Sequence, residues 1–215
     1  IAPPPPTEEA EIGSAPSGTG SSLDLSQRDL LLVTIDALRA DHVGHLGYPR
    51  PVTPELDALA SEGASFEAAY TATPHTSYAV TSLMTGKYMR PLLRQGVGRD
   101  SETWAEVLRR YGYRTAAFYP PAIFFIDPEL FGSFSDTGLG FEYRKVQFAE
   151  ARQRAQELRK FLSELRDDRR LFVWVHLFEP HEPYESHAAH PFGARAVDRY
   201  DSEVAAADQG LGEVV

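Results

Sequence analysis

Three short apolar runs constrain the fold of this chain more than any other feature. They extend from Asp29 to Ile35, from Tyr113 to Tyr119 and from Leu171 to Phe178. Continuous apolar runs of this length are typical of parallel strands that are buried on both faces. Helical patterns separate the runs, and alternating strands and helices predict an α/β fold with a mainly parallel sheet flanked by helices.

The sequence between these runs predicts the other elements. A helix begins at Pro54 with Thr53 as its N-cap, and Gly63 ends it. The further predicted elements, in chain order, are a short strand over Ser65–Tyr70, a helix over 76–85 that Gly86 closes, an amphipathic helix over Glu102–Tyr111, a loop over 120–144 and a long helix over Lys145–Asp167.

The composition excludes several classes of function. The chain has 215 residues, no cysteine and a formal net charge of −10. Without cysteine there are no disulfides, no thiolate metal sites and no cysteine nucleophile. The acidic balance argues against nucleic acid as a partner, because binding to a phosphate backbone needs clustered Lys and Arg. No apolar run approaches the roughly 18–20 residues that span a bilayer.

The two ends of the chain differ from its middle. Residues 1–27 are rich in Pro, Gly and Ser, and we expect a disordered linker there because such a sequence buries too little apolar surface to become ordered. The linker either tethers the protein to a membrane anchor upstream of residue 1 or is a terminus with no role. The sequence stops directly after a helical stretch, which predicts a truncation at the C-terminus. We expect this to uncover one sheet edge, through which copies associate into oligomers.

Three polar clusters lie where the ends of the predicted strands would bring them together. In parallel sheets the site lies beyond the carboxyl ends of the strands. Asp36 follows the first run and is either a metal ligand or a helix cap. Thr76 begins a helix, where it either activates its hydroxyl beside a bound anion or acts as an N-cap. His176 fits a core position within the last run, whereas His181 lies beyond that run and suits proton transfer, metal ligation or anion contact.

These clusters together resemble the sulfatase family of the alkaline phosphatase superfamily. The resemblance extends from about Asp29 to Gly212. LLVTIDALRADHVGHLGY resembles the opening strand with its metal-binding acid, TSYAVTSLMTG resembles the nucleophile segment, and PHEPY resembles the Pro-His-x-Pro loop. The resemblance implies an alkaline phosphatase-like fold, in which residues 28–215 form the N-terminal part of the catalytic domain.

The resemblance also implies a role for each candidate residue. Asp36 and Thr76 would bind a divalent metal ion, Ca²⁺ by preference and otherwise Mg²⁺, Mn²⁺ or Zn²⁺. Thr76 would be the nucleophile, and His181 would contact the anion or protonate the leaving oxygen. Lys87 and His176 would bind the substrate, which is an anionic ester.

The implied reaction is metal-dependent hydrolysis of a sulfuric ester. Sulfatases carry at the Thr76 position a Cys or Ser that is converted to formylglycine. A Thr there resembles the phosphoethanolamine and phosphoglycerol transferases, so a phosphoric ester hydrolase or a lipid-headgroup phosphotransferase is the alternative. Departures from the family pattern at Ala37, Tyr78, Val80 and 119–122 leave a third reading, a non-catalytic protein that binds anions.

The resemblance also has implications for the completeness of the metal site and for the cellular location of the protein. The Asp-His or Asp-Asn pair that completes the metal site of the family is expected downstream of Val215, so we expect this chain to be inactive by itself. The linker and the resemblance together predict an extracytoplasmic or membrane-anchored location, and they leave a cytoplasmic one open.

Overall fold

The computed structural model describes residues 27–88, 101–124, 138–166 and 168–215. In these ranges four strands form one sheet, namely β1 (Leu30–Ile35), β2 (Arg114–Tyr119), β3 (Tyr143–Val146) and β4 (Leu171–Leu177). Their order across the sheet is β1-β4-β2-β3, and every neighbouring pair is parallel. The predicted parallel α/β sheet is therefore confirmed.

Helices cover both faces of this sheet. The described helices are α1 (Pro54–Glu62), α2 (Thr76–Thr85), α3 (Trp104–Arg110), α4 (Ala151–Glu164) and α5 (Ala196–Val214). Alternate side chains of β4 point to opposite faces. Phe172 and Trp174 pack with residues of α2 and α3 on one face. Val173 and Val175 pack with residues of α4 and α5 on the other. This two-sided burial explains the continuous apolar run in β4.

A buried carboxylate on α5 holds the segment that follows β1. Asp201 is fully buried. It accepts hydrogen bonds from the Tyr48 hydroxyl at 2.8 Å and from Arg50 Nη1 at 2.6 Å, and it lies 2.7 Å from Nδ1 of His42. These contacts fix the path of the chain immediately after the carboxyl end of β1.

A second carboxylate on α5 caps the start of α1. Asp208 accepts hydrogen bonds from the backbone N–H groups of Glu55 and Leu56, each at 2.9 Å. Thr53 occupies the N-cap position, as predicted. Its side chain forms no capping hydrogen bond, because its hydroxyl accepts the N–H of Gly44 at 2.8 Å and donates to Asp57 at 3.1 Å.

The predicted strand over Ser65–Tyr70 is wrong. The segment consists of turns and irregular backbone, and all of its residues are exposed, including Phe66 at 80% and Tyr70 at 91%. A strand needs a neighbour to complete its backbone hydrogen bonds, and none of the four described strands pairs with this segment.

The region before α4 also differs from its prediction. The helix predicted over Lys145–Asp167 begins only at Ala151, because Tyr143–Val146 pairs with β2 as the edge strand β3. The carboxylate of Glu179 accepts the N–H of Ala151 at 2.9 Å and so marks the start of α4. The loop predicted over 120–144 holds two short 3₁₀ turns in its described parts, and its residues 125–137 lie outside the described ranges.

Two further expectations concern the chain termini and the sheet edge. Residues 1–26 of the predicted linker lie outside the described ranges, so the linker stays a prediction. Among the described helices, none combines the length and the apolar content that crossing a membrane requires.

β1 lies at one edge of the sheet, where Leu31 is 45% exposed. Association through this edge stays a prediction.

Candidate active site

A cleft opens at the carboxyl edge of the sheet. Its volume is about 980 Å³, and its walls come from the end of β1, from residues 69–76, from one side of α2 and from two histidines. The candidate residues Asp36, Thr76, Lys87, His176 and His181 all line this cleft. The fold thus brings together all five side chains that the sequence singled out, although the chemical role of each stays a prediction.

Asp36 and Thr76 meet at the centre of the cleft. The backbone N–H of Asp36 donates to the carbonyl of Leu177 at 2.9 Å, so the β1–β4 ladder extends to this residue and fixes its backbone. Thr76 is the first residue of α2. Its hydroxyl lies 3.0 Å from Oδ1 of Asp36 and 3.2 Å from Oδ2, so it donates to the carboxylate.

The electrostatic surroundings keep the Asp36 carboxylate charged. Burial by itself would raise the pKa of Asp36. The neighbouring His176 ring, the hydrogen bond from the Thr76 hydroxyl and the His181 ring together outweigh burial and lower the pKa of Asp36 below its ordinary value. The cleft therefore presents an anionic oxygen pair beside a hydroxyl.

His176 lies behind Asp36 on the same face of the sheet. His176 on β4 pairs with Thr34 on β1, and residues opposite each other on neighbouring strands share a face of the sheet. Nδ1 of His176 lies 2.7 Å from the Thr34 hydroxyl, and the Trp174 indole N–H donates to that hydroxyl at 3.0 Å. Nε2 of His176 lies 3.5 Å from Oδ2 of Asp36.

His181 stands at the mouth of the cleft. Its ring is exposed and stacks on Phe178, with ring centroids 4.6 Å apart. Nδ1 lies 2.7 Å from the carbonyl oxygen of Glu182. A carbonyl only accepts, so Nδ1 carries a proton and Nε2 is the nitrogen that exchanges a proton with a ligand.

Lys87 supplies a cation to the same cleft. It follows Gly86, whose left-handed backbone ends α2. The Lys87 side chain is exposed, and its Nζ donates to the hydroxyl of Ser101 at 3.1 Å. Lys87 thus lines the cleft at the opposite end of α2 from Thr76.

Tyr200, which was not among the residues predicted from the sequence, holds the turn that follows Asp36. Ala37 has a φ of 52°, in the left-handed region that residues other than glycine rarely adopt. The Tyr200 hydroxyl donates to the Ala37 carbonyl at 2.8 Å and accepts from the Arg39 N–H at 2.9 Å. Nothing in the local sequence signals this contact, because Tyr200 comes from α5, far along the chain.

A second residue outside the predicted set is His75. It immediately precedes Thr76 and lines the cleft. Its Nδ1 is buried, and no described residue forms a hydrogen bond with it. In the sequence, its position next to Thr76, the predicted nucleophile, could have identified His75 as a residue of the cleft.

Asp36 and Thr76 fit part of a metal site. Both present oxygen atoms to the cleft, and oxygen ligands suit Ca²⁺, Mg²⁺ and Mn²⁺. The lowered pKa of Asp36 keeps it in the ionised form that a cation needs. Within the described part of the chain, however, no three or more His, Asp or Glu side chains are arranged to hold a metal ion.

Comparison with characterised proteins gives partial sequence matches. The chain is 33% identical to the arylsulfatase of Clostridium perfringens over 93 residues, which are 40% of this chain and 19% of that protein. It is 34% identical to the ulvan-active sulfatase of Formosa agariphila over 92 residues, which are 41% of this chain and 18% of that protein.

Solved structures match over most of this chain. The i-CgsB protein, crystallised with a neocarrahexaose, matches with a TM-score of 0.68 and 20% identity over 87% of this chain and 54% of its own. The periplasmic domain of EptC from Escherichia coli matches with a TM-score of 0.64 and 20% identity over 87% and 57%. The phosphonate monoester hydrolase of Agrobacterium radiobacter matches with a TM-score of 0.61 and 19% identity over 86% and 58%.

These structures share the fold of this chain. This chain spans between half and three-fifths of the length of each of them. The family model that describes sulfatases matches residues 28–215, and this range contains the whole sheet, all five described helices and the cleft. The chain belongs to the sulfatase family.

Proposed function

We propose that the complete protein is a divalent-metal-dependent hydrolase of sulfuric esters in which Thr76 is the nucleophile. The observation that carries the proposal is the contact between Thr76 and the ionised Asp36 at the centre of the cleft. The curated relatives support it, because both are sulfatases. Membership of the sulfatase family supports a hydrolase or transferase of this class.

The metal ion has a defined part in this proposal. Asp36 and Thr76 would hold it, and it would supply positive charge to the ester oxygens. The E. coli EptC domain, which has the same fold, was also crystallised in complex with zinc. Oxygen donors favour Ca²⁺, Mg²⁺ or Mn²⁺ at Asp36 and Thr76, so we propose Ca²⁺ as the first ion to test.

In the first half of the reaction, Oγ of Thr76 attacks the sulfur atom and its proton passes to water in the cleft, because Asp36 stays ionised. The bond between sulfur and the ester oxygen breaks, and the electron pair leaves with that oxygen. His181, in its doubly protonated form, donates a proton to it from Nε2, while the N–H groups at the start of α2 balance the negative charge.

In the second half, a water molecule attacks the sulfur of the sulfated Thr76. Nε2 of His181 accepts a proton from the water as the new bond to sulfur forms. The bond between sulfur and Oγ breaks, and Oγ takes a proton from water. Hydrogen sulfate leaves, and the Thr76 and His181 side chains return to their starting states.

The test is turnover of 4-nitrophenyl sulfate by the complete protein loaded with Ca²⁺. We expect Thr76→Ala to lower kcat by on the order of 10³-fold or more, because the covalent route is lost. Thr85→Ala, which removes a hydroxyl that bonds within α2, is the matched control and should retain activity. Full activity in Thr76→Ala would exclude Thr76 as the nucleophile.

Transfer or hydrolysis of a phosphoric ester is a second candidate function. A specific observation favours it, since residue 76 is a Thr, which cannot become formylglycine. The phosphonate monoester hydrolase has the same fold. Turnover of 4-nitrophenyl phosphate or bis(4-nitrophenyl) phosphate with a higher kcat/KM than that of the sulfate would select this function. No turnover of any of these esters, and none of lipid headgroup donors, would favour a protein that only binds anions.

We also propose an extracytoplasmic location. The EptC domain that shares this fold is periplasmic, and this supports the proposal. Fractionation of cells that express the complete protein tests it, together with protease treatment of intact cells. Recovery in the cytoplasmic fraction would contradict it.

A further inference from the structure

Three side chains form a hydrogen-bonded path from the core of the sheet to Asp36. Trp174 is fully buried, and its indole N–H, which can only donate, bonds to the Thr34 hydroxyl at 3.0 Å. The same hydroxyl lies 2.7 Å from Nδ1 of His176. His176 is only 3% exposed, so water does not compete for these contacts.

The direction of these hydrogen bonds selects one form of the His176 ring. Thr34 accepts from Trp174, and among the described residues Nδ1 of His176 is the acceptor within reach of its own O–H proton, so this hydrogen bond runs from Thr34 to His176. When Nδ1 accepts, a neutral imidazole carries its proton on Nε2. Nε2 has no hydrogen-bond partner in the described structure and lies 3.5 Å from Oδ2 of Asp36.

We infer that His176 is a positioning residue whose Nε2–H group orients the Asp36 carboxylate toward Thr76 and the metal ion. Trp174 and Thr34 fix the tautomer in which this is possible. The inference rests on the proposed function in one respect, namely that Asp36 binds a divalent metal ion. It differs from the predicted role of His176 in binding the substrate, since the ring lines the cleft but is only 3% exposed.

The tautomer can be measured directly in the wild-type protein. The complete protein, labelled with ¹⁵N at histidine, is studied by NMR spectroscopy at mildly alkaline pH. We expect the His176 resonances of a ring protonated at Nε2. Thr34→Val removes the hydroxyl and should shift these resonances toward a mixture of tautomers, whereas Thr34→Ser keeps the hydroxyl and should preserve them. A ring protonated at Nδ1 in the wild type would overturn the inference.

The effect on Asp36 is measured by calorimetric titration with Ca²⁺ and with Mn²⁺ alone. Removal of groups that orient a metal ligand weakens metal binding by about 10–100-fold. We expect losses of this size in His176→Ala and Thr34→Val. Recovery is expected in His176→Gln, because the Gln amide nitrogen can occupy the place of Nε2, and in Thr34→Ser. His45→Ala, which removes an exposed histidine, is the control and should bind as the wild type does.

The outcomes separate the two proposals. Unchanged metal affinity in both His176→Ala and Thr34→Val would overturn the positioning role and leave the proposed function intact. Absence of metal binding to the wild-type protein would instead overturn the metal dependence in the proposed function, and the positioning role with it. Circular dichroism of each variant shows whether a loss of affinity accompanies loss of folding. The tautomer measurement on the wild type needs no variant.

Discussion

Tyr200 joins the last helix to the turn that follows Asp36, because its hydroxyl donates to the carbonyl of Ala37 at 2.8 Å. The same oxygen accepts the N–H of Arg39. Burial raises the pKa of Tyr200 to about 12, so the hydroxyl keeps its proton at neutral pH. One side chain thus completes both backbone hydrogen bonds of this turn.

Tyr200→Phe should destabilise the protein and weaken metal binding. The change leaves a carbonyl and an N–H group without their partner, and a loss of about 1–3 kcal/mol in the free energy of unfolding follows from such a deletion. Urea denaturation measures the loss. Tyr111→Phe, at a tyrosine that is 70% exposed, is the control. Equal stability of the two variants would show that the Tyr200 hydroxyl does not hold the turn.

Ala37→Gly should leave stability unchanged or raise it. A left-handed backbone costs a non-glycine residue about 1–2 kcal/mol, and this exceeds the roughly 0.5–1 kcal/mol that the flexibility of glycine costs. The expected gain is up to about 1 kcal/mol in the free energy of unfolding. Ala68→Gly, in an exposed segment without a positive φ, should destabilise instead. A loss at residue 37 as large as at residue 68 would contradict the left-handed turn.

Glu179 should make the stability depend on pH. Burial raises the pKa of this carboxyl group above its ordinary value. Because the folded state holds the proton of Glu179 more tightly than the unfolded state does, protonation of this group stabilises the fold. This stabilisation is complete below the unfolded pKa and is lost as the pH rises through the folded pKa. Glu179→Gln keeps an oxygen for the Ala151 N–H and removes the charge.

Relative to the wild type, Glu179→Gln should therefore gain stability as the pH rises from acid to neutral. Urea denaturation across this range gives the difference between the two proteins at each pH. Glu182→Gln, at an exposed carboxyl group in the same loop, should not reproduce the trend. A difference between Glu179→Gln and the wild type that stays constant with pH would rule out burial as its cause.

Leu31→Lys should reduce self-association of this chain. Leu31 is 45% exposed on the edge strand β1, and a lysine on an edge strand disfavours pairing with another strand. Light scattering over a range of protein concentrations gives the average mass of the wild type and the variant. A wild-type chain that stays monomeric at high concentration would refute association through this edge.

Local patterns in the sequence were sufficient to predict much of the fold. β1, β2 and β4 were predicted because strands buried on both faces are apolar throughout, and α2 was predicted because Gly86 marks its end. β3 was missed, since Tyr143–Val146 mixes charged and apolar residues and becomes a strand only through its pairing with β2. Propensity alone does not contain such tertiary pairings.

The candidate site was predicted in its parts but not in its contacts. The rule that sites lie at the carboxyl ends of parallel strands was enough to select Asp36 and His181. It did not show that Thr76, 40 residues after Asp36, donates to that carboxylate. The contributions of Thr34 and Tyr200 depend on strand register and on long-range packing, which no local pattern records.

The long sequence separation between the turn after β1 and α5 has a consequence for how that turn is formed during synthesis. The helix that carries Tyr200 and Asp201 is the last described element to leave the ribosome, yet it secures the turn beside Asp36. Contacts between such distant parts of a chain form late, because a long loop must close first. The nascent chain therefore carries Asp36 and Thr76 before the turn beside Asp36 is secured, and that turn becomes fixed only once α5 has been made.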